Sequence, residues 1–150
     1  MHALDVDWDH PTDPLPGPRR DHVRAYVATA GADGHLWHGV RTLLLTTVDR
    51  ATGRTVRTPL IYGEDTDTGR LIVVAAAYGA PDHPAWYRNL EAHPEVRLQV
   101  GAASFKATAR TATPVERETY WEAMTALWPD YDDFQLAAAP RELPLVILER

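Results

Sequence analysis

The sequence predicts an α+β domain in which a mostly antiparallel, barrel-like sheet carries short helices on its outside. Three observations lead there: six β-prone runs, hairpin-like turns joining several of them, and three segments with helical signals lying between and after the strands. At 150 residues and 45% hydrophobic content the chain can bury one core but not two ordinary ones. We therefore expect an N-terminal arm over residues 1–20 and a single domain over 21–150.

Four of the twelve prolines lie in the arm, Pro11, Pro14, Pro16 and Pro18, where fixed φ and missing donors discourage regular structure. Such an arm is ordered only if something holds it. Between Asp21 and Ala30 the apolar residues Val23, Tyr26, Val27 and Ala30 share one helical face, with Asp21 as N-cap and Gly31 as terminator. Thr42–Val48 is β-prone and mostly apolar, and the loop Asp49–Gly53 joins it to a second strand over Arg54–Tyr62. A turn over Gly63–Gly69 leads into Leu71–Ala77, which reads as a buried central strand. His83–His93 is helical in composition, with Pro84 in its first turn and Pro94 beyond its end. Two strands follow over Val96–Val100 and Ser104–Thr111. Thr113, Pro114 and Glu116 spell a capping box for a helix through about Leu127, and Leu143–Leu148 supplies the final strand.

A net charge of −6 gives no footprint for nucleic acid or an anionic membrane, so any anionic ligand must meet a local basic patch. With no cysteine, disulfides, thiolate nucleophiles and thiolate metal sites are excluded, and redox work would need a cofactor. The acidic N-terminus lacks the apolar stretch of a signal peptide, and no apolar run approaches the length of a membrane span, so the expected location is the cytoplasm. The seven histidines show no HExxH-like spacing, and His35 and His38 form a lone pair in a turn-rich region; no metal is expected. Five tryptophans fit either core packing or an aromatic ligand pocket.

Several segments carry a more specific likeness: Pro59-Leu60-Ile61-Tyr62-Gly63, the string from Gly79 through Leu90 with the pattern GAPxHPxWYxNL, Pro94-Glu95-Val96, Leu127-Trp128-Pro129-Asp130-Tyr131 and Leu143–Glu149. Together they resemble the deazaflavin-dependent nitroreductase family of actinobacteria, over roughly Asp21 to Arg150. The resemblance implies a split β-barrel that binds reduced coenzyme F420, a deazaflavin with a phosphate and a polyglutamate tail. It implies hydride transfer to a quinone, nitroaromatic or activated alkene.

The resemblance also assigns roles. Ala75, Ala76 and Ala77, with Gly79, Ala80 and Pro81, would run along the deazaflavin ring, because small side chains let a planar ring approach backbone, while the bulky Tyr78 at the ring edge would narrow the pocket or fill it. Pro59, Leu60, Tyr62, Trp86 and Asn89 would complete the cofactor site, Arg50 would meet its anionic tail, and Arg54 and Arg57, in the same hairpin, would restore part of the basic patch if they point into the groove. Tyr26, Trp128, Tyr131 and Phe134 would line the substrate pocket, with Tyr131 the candidate proton donor. Other readings stand beside these. Ala75–Ala77 can simply pack under a helix, Trp86 and Tyr87 can be core anchors, Arg54 and Arg57 can be solvated strand residues, and His83 can serve helix entry.

The chain departs from the family where the cofactor is held. Ala51 stands where Lys is usual, Asp49 where Gly is, Val56 where Arg is frequent, and Ala77 and Tyr78 replace Lys and Gly. Phe134 replaces a tyrosine, while Tyr131 keeps its hydroxyl. Two alternatives to a reductase follow: a scaffold without deazaflavin that catalyses a cofactor-independent isomerisation, cyclisation or dehydration, or a binder of an apolar small ligand. An aromatic or quinone-like small molecule is the expected partner, with a homodimer as a further expectation.

Overall fold

A computed structural model describes residues 5–150. Its core is an eight-stranded antiparallel sheet in the order β1-β2-β6-β7-β8-β5-β4, with β3 paired to β2. The strands are β1 (Leu36–Trp37), β2 (Val40–Val48), β3 (Thr55–Ile61), β4 (Gly63–Asp65), β5 (Arg70–Val74), β6 (Glu95–Val100), β7 (Ala103–Thr111) and β8 (Leu145–Glu149). The helices are α1 (Pro18–Ala28), α2 (Ala85–Ala92), α3 (Pro114–Leu127) and α4 (Asp130–Ala138). β3 and β4 each have one strand partner, so the curled sheet is left open between them. The fold is a split barrel, as the sequence predicts.

The alternation of side chains along the strands divides the interior. Leu43, Leu45, Leu71, Val73, Val96, Leu98, Val146 and Leu148 point into the barrel, where Trp86, Tyr87 and Leu90 of α2 close it. On the outer face Ile72, Val74 and Leu145 meet Met124 of α3 and Tyr131 and Ala138 of α4. Leu44 faces outward from β2 and packs under Val23 and Tyr26 of α1. Because β2 and β5 are covered on both sides, they read as continuous apolar runs rather than alternating ones.

Several boundaries differ from the sequence reading. Helix α1 begins at Pro18, because Pro suits a first helical position; Asp21 therefore sits in the first turn instead of capping. Strand β5 stops at Val74, and Ala77–Gly79 forms a 3-10 turn in place of the expected strand end. The segment expected to be a turn after Gly63 contributes β4, paired with β5. Helix α4 is an element the sequence reading lacked, and β1 is another. The capping box of α3 forms as read, with the Thr113 hydroxyl accepting from the Glu116 amide and the Glu116 carboxylate accepting from the Thr113 amide.

The arm is held against the barrel. Thr12 donates to the Thr55 carbonyl at 2.8 Å and accepts from the Arg57 amide at 2.9 Å, adding one parallel bridge to the free edge of β3. Thr55 Oγ1 donates to the Asp7 carbonyl at 2.7 Å, and the Arg97 guanidinium stacks 4.3 Å from the Trp8 ring centre.

Candidate active site

A cleft of about 1250 Å3 opens where the sheet is split. Its walls come from separate parts of the chain. One wall is β3, which contributes every residue from Val56 to Ile61, together with the arm from Thr12 to Leu15 and the inner face of α1. The opposite wall is the end of β5 and its turn, Val74, Ala76, Ala77 and Tyr78, with Trp128 at the end of α3 and Tyr131 and Phe134 of α4. Pro84, Ala85, Trp86 and Asn89 of the α2 region form its floor. An edge strand suits this position because both its faces and its unpaired backbone are reachable.

The expected cofactor residues divide into two groups. Arg57, Pro59, Leu60, Ala76, Ala77, Tyr78, Trp86 and Asn89 lie on the cleft, as do the expected substrate residues Trp128, Tyr131 and Phe134. Arg50, Arg54, Tyr62, Ala75, Gly79, Ala80, Pro81 and Tyr26 lie off it. Tyr26 is fully buried on the inner face of α1, where its hydroxyl donates to the Thr42 carbonyl at 2.9 Å and accepts from the Gly101 amide at 2.7 Å. Tyr62 belongs to the barrel interior and lies under the Arg41 guanidinium. Gly79 is small for a reason other than a ring: a methyl group there would come 2.8 Å from the Phe134 carbonyl oxygen in α4.

The cations are arranged unequally. Arg57 Nε donates to Asp13 at 2.8 Å, both side chains being largely buried, so the arm supplies its counter-charge. Arg19 of α1, absent from the sequence reading, lines the cleft and donates to the Thr58 hydroxyl. Arg50 is turned toward the floor, where its Nη1 donates to Asn89 Oδ1 at 2.9 Å. Asn89 is fully buried and donates to Thr47 Oγ1 at 3.3 Å, so it fastens the β2–β3 loop to α2. Asp49, beside it, accepts from the Ala51 and Thr52 amides, and these bonds hold its carboxyl below the usual range.

Around the turn the backbone is strained. Ala77 at φ 46° and Tyr78 at φ 55° both occupy the left-handed region, followed by Gly79 at φ 78°. A side-chain-bearing residue there costs about 1–2 kcal/mol, so something must hold the turn. Tyr78 is 74% exposed and meets Phe134 edge-on at 5.9 Å, standing at the rim instead of filling the cleft. Behind the turn Arg141, another residue whose part sequence reasoning missed, donates to the carbonyls of Ala75, Ala76 and Ala80. It also contacts His83 Nδ1 at 3.0 Å; burial, then the Arg141 and Arg88 charges, push the His83 pKa down, which leaves that nitrogen an acceptor.

Tyr131 is the one tyrosine hydroxyl on the deep wall. Only 6% of the residue is exposed, and its hydroxyl has no hydrogen-bond partner among the described residues. Burial raises its pKa, so the phenol keeps its proton at neutral pH. Trp37, 5.1 Å from Trp128 between ring centres, extends the aromatic wall toward the mouth. Among the described residues no group of three His, Asp or Glu is placed to hold a metal ion, and no helix is long and apolar enough to cross a membrane.

The lining fits a flat cofactor with an anionic end: the small side chains of Ala76 and Ala77 and the apolar Pro59, Leu60 and Trp86 all border the cleft, and Arg57 and Arg19 supply positive charge on the β3 side.

Comparison with known proteins places the chain in a family. The family model described as F420H(2)-dependent quinone reductase matches residues 18–150. Rv3178 of Mycobacterium tuberculosis, to which the same activity is ascribed provisionally, is 36% identical over 109 residues, spanning 73% of this chain and 89% of its own. The F420H(2)-dependent quinone reductase Rv1261c of the same organism is 33% identical over 135 residues, covering 87% of this chain and 89% of that protein. Among solved structures, an F420-H2 dependent reductase (FDR-A) superposes with a TM-score of 0.65 at 33% identity, covering 72% of this chain and 93% of that one. A domain-swapped dimer superposes with a TM-score of 0.68 at 30% identity, covering 86% and 92%. The match begins at Pro18, where α1 begins. The chain belongs to the F420H(2)-dependent quinone reductase family.

Proposed function

We propose that this protein binds reduced coenzyme F420 in the cleft and uses it to reduce a quinone. The observation that carries the reading is that the small residues Ala76 and Ala77 and the buried, proton-bearing Tyr131 border the same cleft. Family membership supplies the reaction class.

When bound, the deazaflavin supplies the hydride. The chain's own residues orient and protect. Ala76, Ala77, Pro59, Leu60 and Trp86 hold a ring flat and exclude water, which strengthens the polar contacts made inside. Arg57 and Arg19 receive the anionic part of the cofactor, with Asp13 yielding its place on Arg57. Trp128, Phe134 and Trp37 present apolar faces to an aromatic acceptor. Tyr131 donates a hydrogen bond, then its proton, to the quinone oxygen that gains electron density, and is reprotonated from solvent. One hydride and one proton convert the quinone to its hydroquinone, so the step balances with no further reductant. Nitroaromatics and activated alkenes remain acceptors of the same kind on this proposal, since each takes a hydride and a proton.

Mixing the purified protein with reduced coenzyme F420 and a naphthoquinone should consume both in equal amounts, at a rate saturating with each. A protein that binds the quinone but leaves the reduced cofactor unchanged would overturn the proposal. We infer a homodimer as well, supported by the domain-swapped dimer of a relative; a monomer mass in light scattering would remove it.

A further inference from the structure

Arg141 lies outside the cleft lining, yet its guanidinium touches the turn that forms one cleft wall. Nε donates to the Ala80 carbonyl at 2.8 Å, Nη1 to the Ala75 carbonyl at 3.1 Å, and Nη2 to the Ala76 carbonyl at 2.7 Å. Among the described residues no carboxylate pairs with it. Apart from the Nη1 contact with His83 Nδ1 at 3.0 Å, its donors go to backbone at the point where β5 leaves the sheet: the Ala75 amide still reaches the Pro144 carbonyl, but beyond it the chain turns left-handed through Ala77, Tyr78 and Gly79. Inside the turn only the Gly79 amide to the Ala76 carbonyl and the Ala80 amide to the Ala77 carbonyl hold it together. A planar fork presents five donors from three nitrogens and so spans three separated carbonyls at once; a lysine ammonium has three donors, but all on one nitrogen at the end of a flexible stem, and does not reproduce that spacing.

We propose that Arg141 is the positioning residue of this active-site turn: its guanidinium pins residues 75–80 in the left-handed course that brings Ala76, Ala77 and Tyr78 to the cleft, and thereby sets the fit of the cofactor ring without touching it. The part that concerns the ring rests on the function proposed above; the part that concerns the turn does not. The second support for the turn is α4, which packs on Gly79, so the fold does not hang on Arg141 alone.

The test compares the parent protein, Arg141→Lys, Ala77→Gly and the double variant. Lysine keeps the charge and loses the fork, while glycine adopts a positive φ without steric opposition and so lowers the turn's need for a clamp. In ligand-free protein, hydrogen exchange at the Gly79 and Ala80 amides should speed up about tenfold or more in Arg141→Lys and slow again when Ala77→Gly is added. The dissociation constant for coenzyme F420, followed by tryptophan fluorescence, should rise about tenfold in Arg141→Lys and fall back toward the parent value in the double variant. Unchanged exchange at both amides in Arg141→Lys overturns the proposal, as does an affinity loss that Ala77→Gly leaves in place, which would show that position is not what Arg141 provides. If the parent itself binds no coenzyme F420, the functional reading fails, and the exchange rates still decide the turn.

Discussion

The two flanks of the sheet use arginine in opposite ways. On the closed flank, Arg110 donates to Glu116 at 2.8 Å and to Glu149 at 2.8 Å, and Arg70 reaches the same two carboxylates at 3.3 and 3.1 Å. Two cations meet two anions, and the set ties α3 to β5, β7 and β8. On the split flank, Arg19 rests on a hydroxyl and Arg141 on carbonyls, and Arg57 is matched by one carboxylate from the arm. The closed flank satisfies its charges permanently. On the open flank two cations, Arg19 and Arg57, have partners that an anionic ligand can replace, which is why the proposal puts the cofactor's anionic end there although the whole chain is acidic.

The sharpest way to break the comparison is to remove what both flanks share. Leu45 is fully buried in the barrel, opposite Thr58 of β3 and Leu98 of β6. Leu45→Ala should lower unfolding free energy by about 2–5 kcal/mol in a denaturant titration, with loss of cofactor binding following loss of fold. A smaller effect should be confined to the open side. Tyr131→Phe should reduce kcat for quinone reduction about ten- to a hundredfold, or ~1.4–2.8 kcal/mol in barrier, while the unfolding midpoint stays within a degree or two. Equal kcat in the two proteins would assign the proton to solvent.

The closed flank has a pH signature. Glu116 is held at about 2 against its ordinary 4.5, first by Arg110 and then by the Thr113 amide. A depressed carboxylate stabilises the fold above its ordinary value and loses that contribution as pH falls toward the folded one. Glu116→Gln, which can keep the capping box, should cost about 1 kcal/mol at neutral pH and flatten the stability loss between pH 4.5 and 2. An unchanged acid limb would mean that the network contributes nothing. The smallest effect belongs to the arm. Asp13→Asn frees Arg57, so coenzyme F420 should bind about 1.5- to 5-fold more tightly, equivalent to roughly 0.2–1 kcal/mol. Weaker binding in Asp13→Asn would show that the arm presents Arg57 to the ligand instead of shielding it.

What could be read in the sequence follows the range of the interactions. Local signals were legible: the Thr113–Glu116 capping box, and the β2 and β7 runs to within a residue or two. Trp86 and Tyr131, which border one cleft, lie in the family motifs, and Arg57, which borders it too, was offered by its place in the β2–β3 hairpin. Helix α4 was not legible, because Asp130, Asp132 and Asp133 after Pro129 resemble a loop, although acidic residues suit the first turn of a helix whose Tyr131 and Ala138 are buried by contacts distant in sequence. The end of β5 was overestimated because alanines suit either a strand or a turn, and the carbonyls that Arg141 claims are 61–66 residues away. Asp13 meeting Arg57 across 44 residues leaves no local trace either. A lone arginine between Pro140 and Glu142, with no acidic partner in periodic register, was the only hint of the clamp.

The central claim is that the split edge of the barrel, with Arg57 on the cleft and Arg54 off its lining, is a coenzyme F420 site. It is tested most directly by titrating the parent, Arg57→Gln and Arg54→Gln with coenzyme F420 and following tryptophan fluorescence. The account predicts saturable binding with a dissociation constant in roughly the micromolar range. Arg57→Gln should weaken it about tenfold or more, as expected for a lost charge-assisted hydrogen bond, and Arg54→Gln should stay within about twofold of the parent. No saturation up to about a hundred micromolar, or equal losses in the two variants, would contradict it.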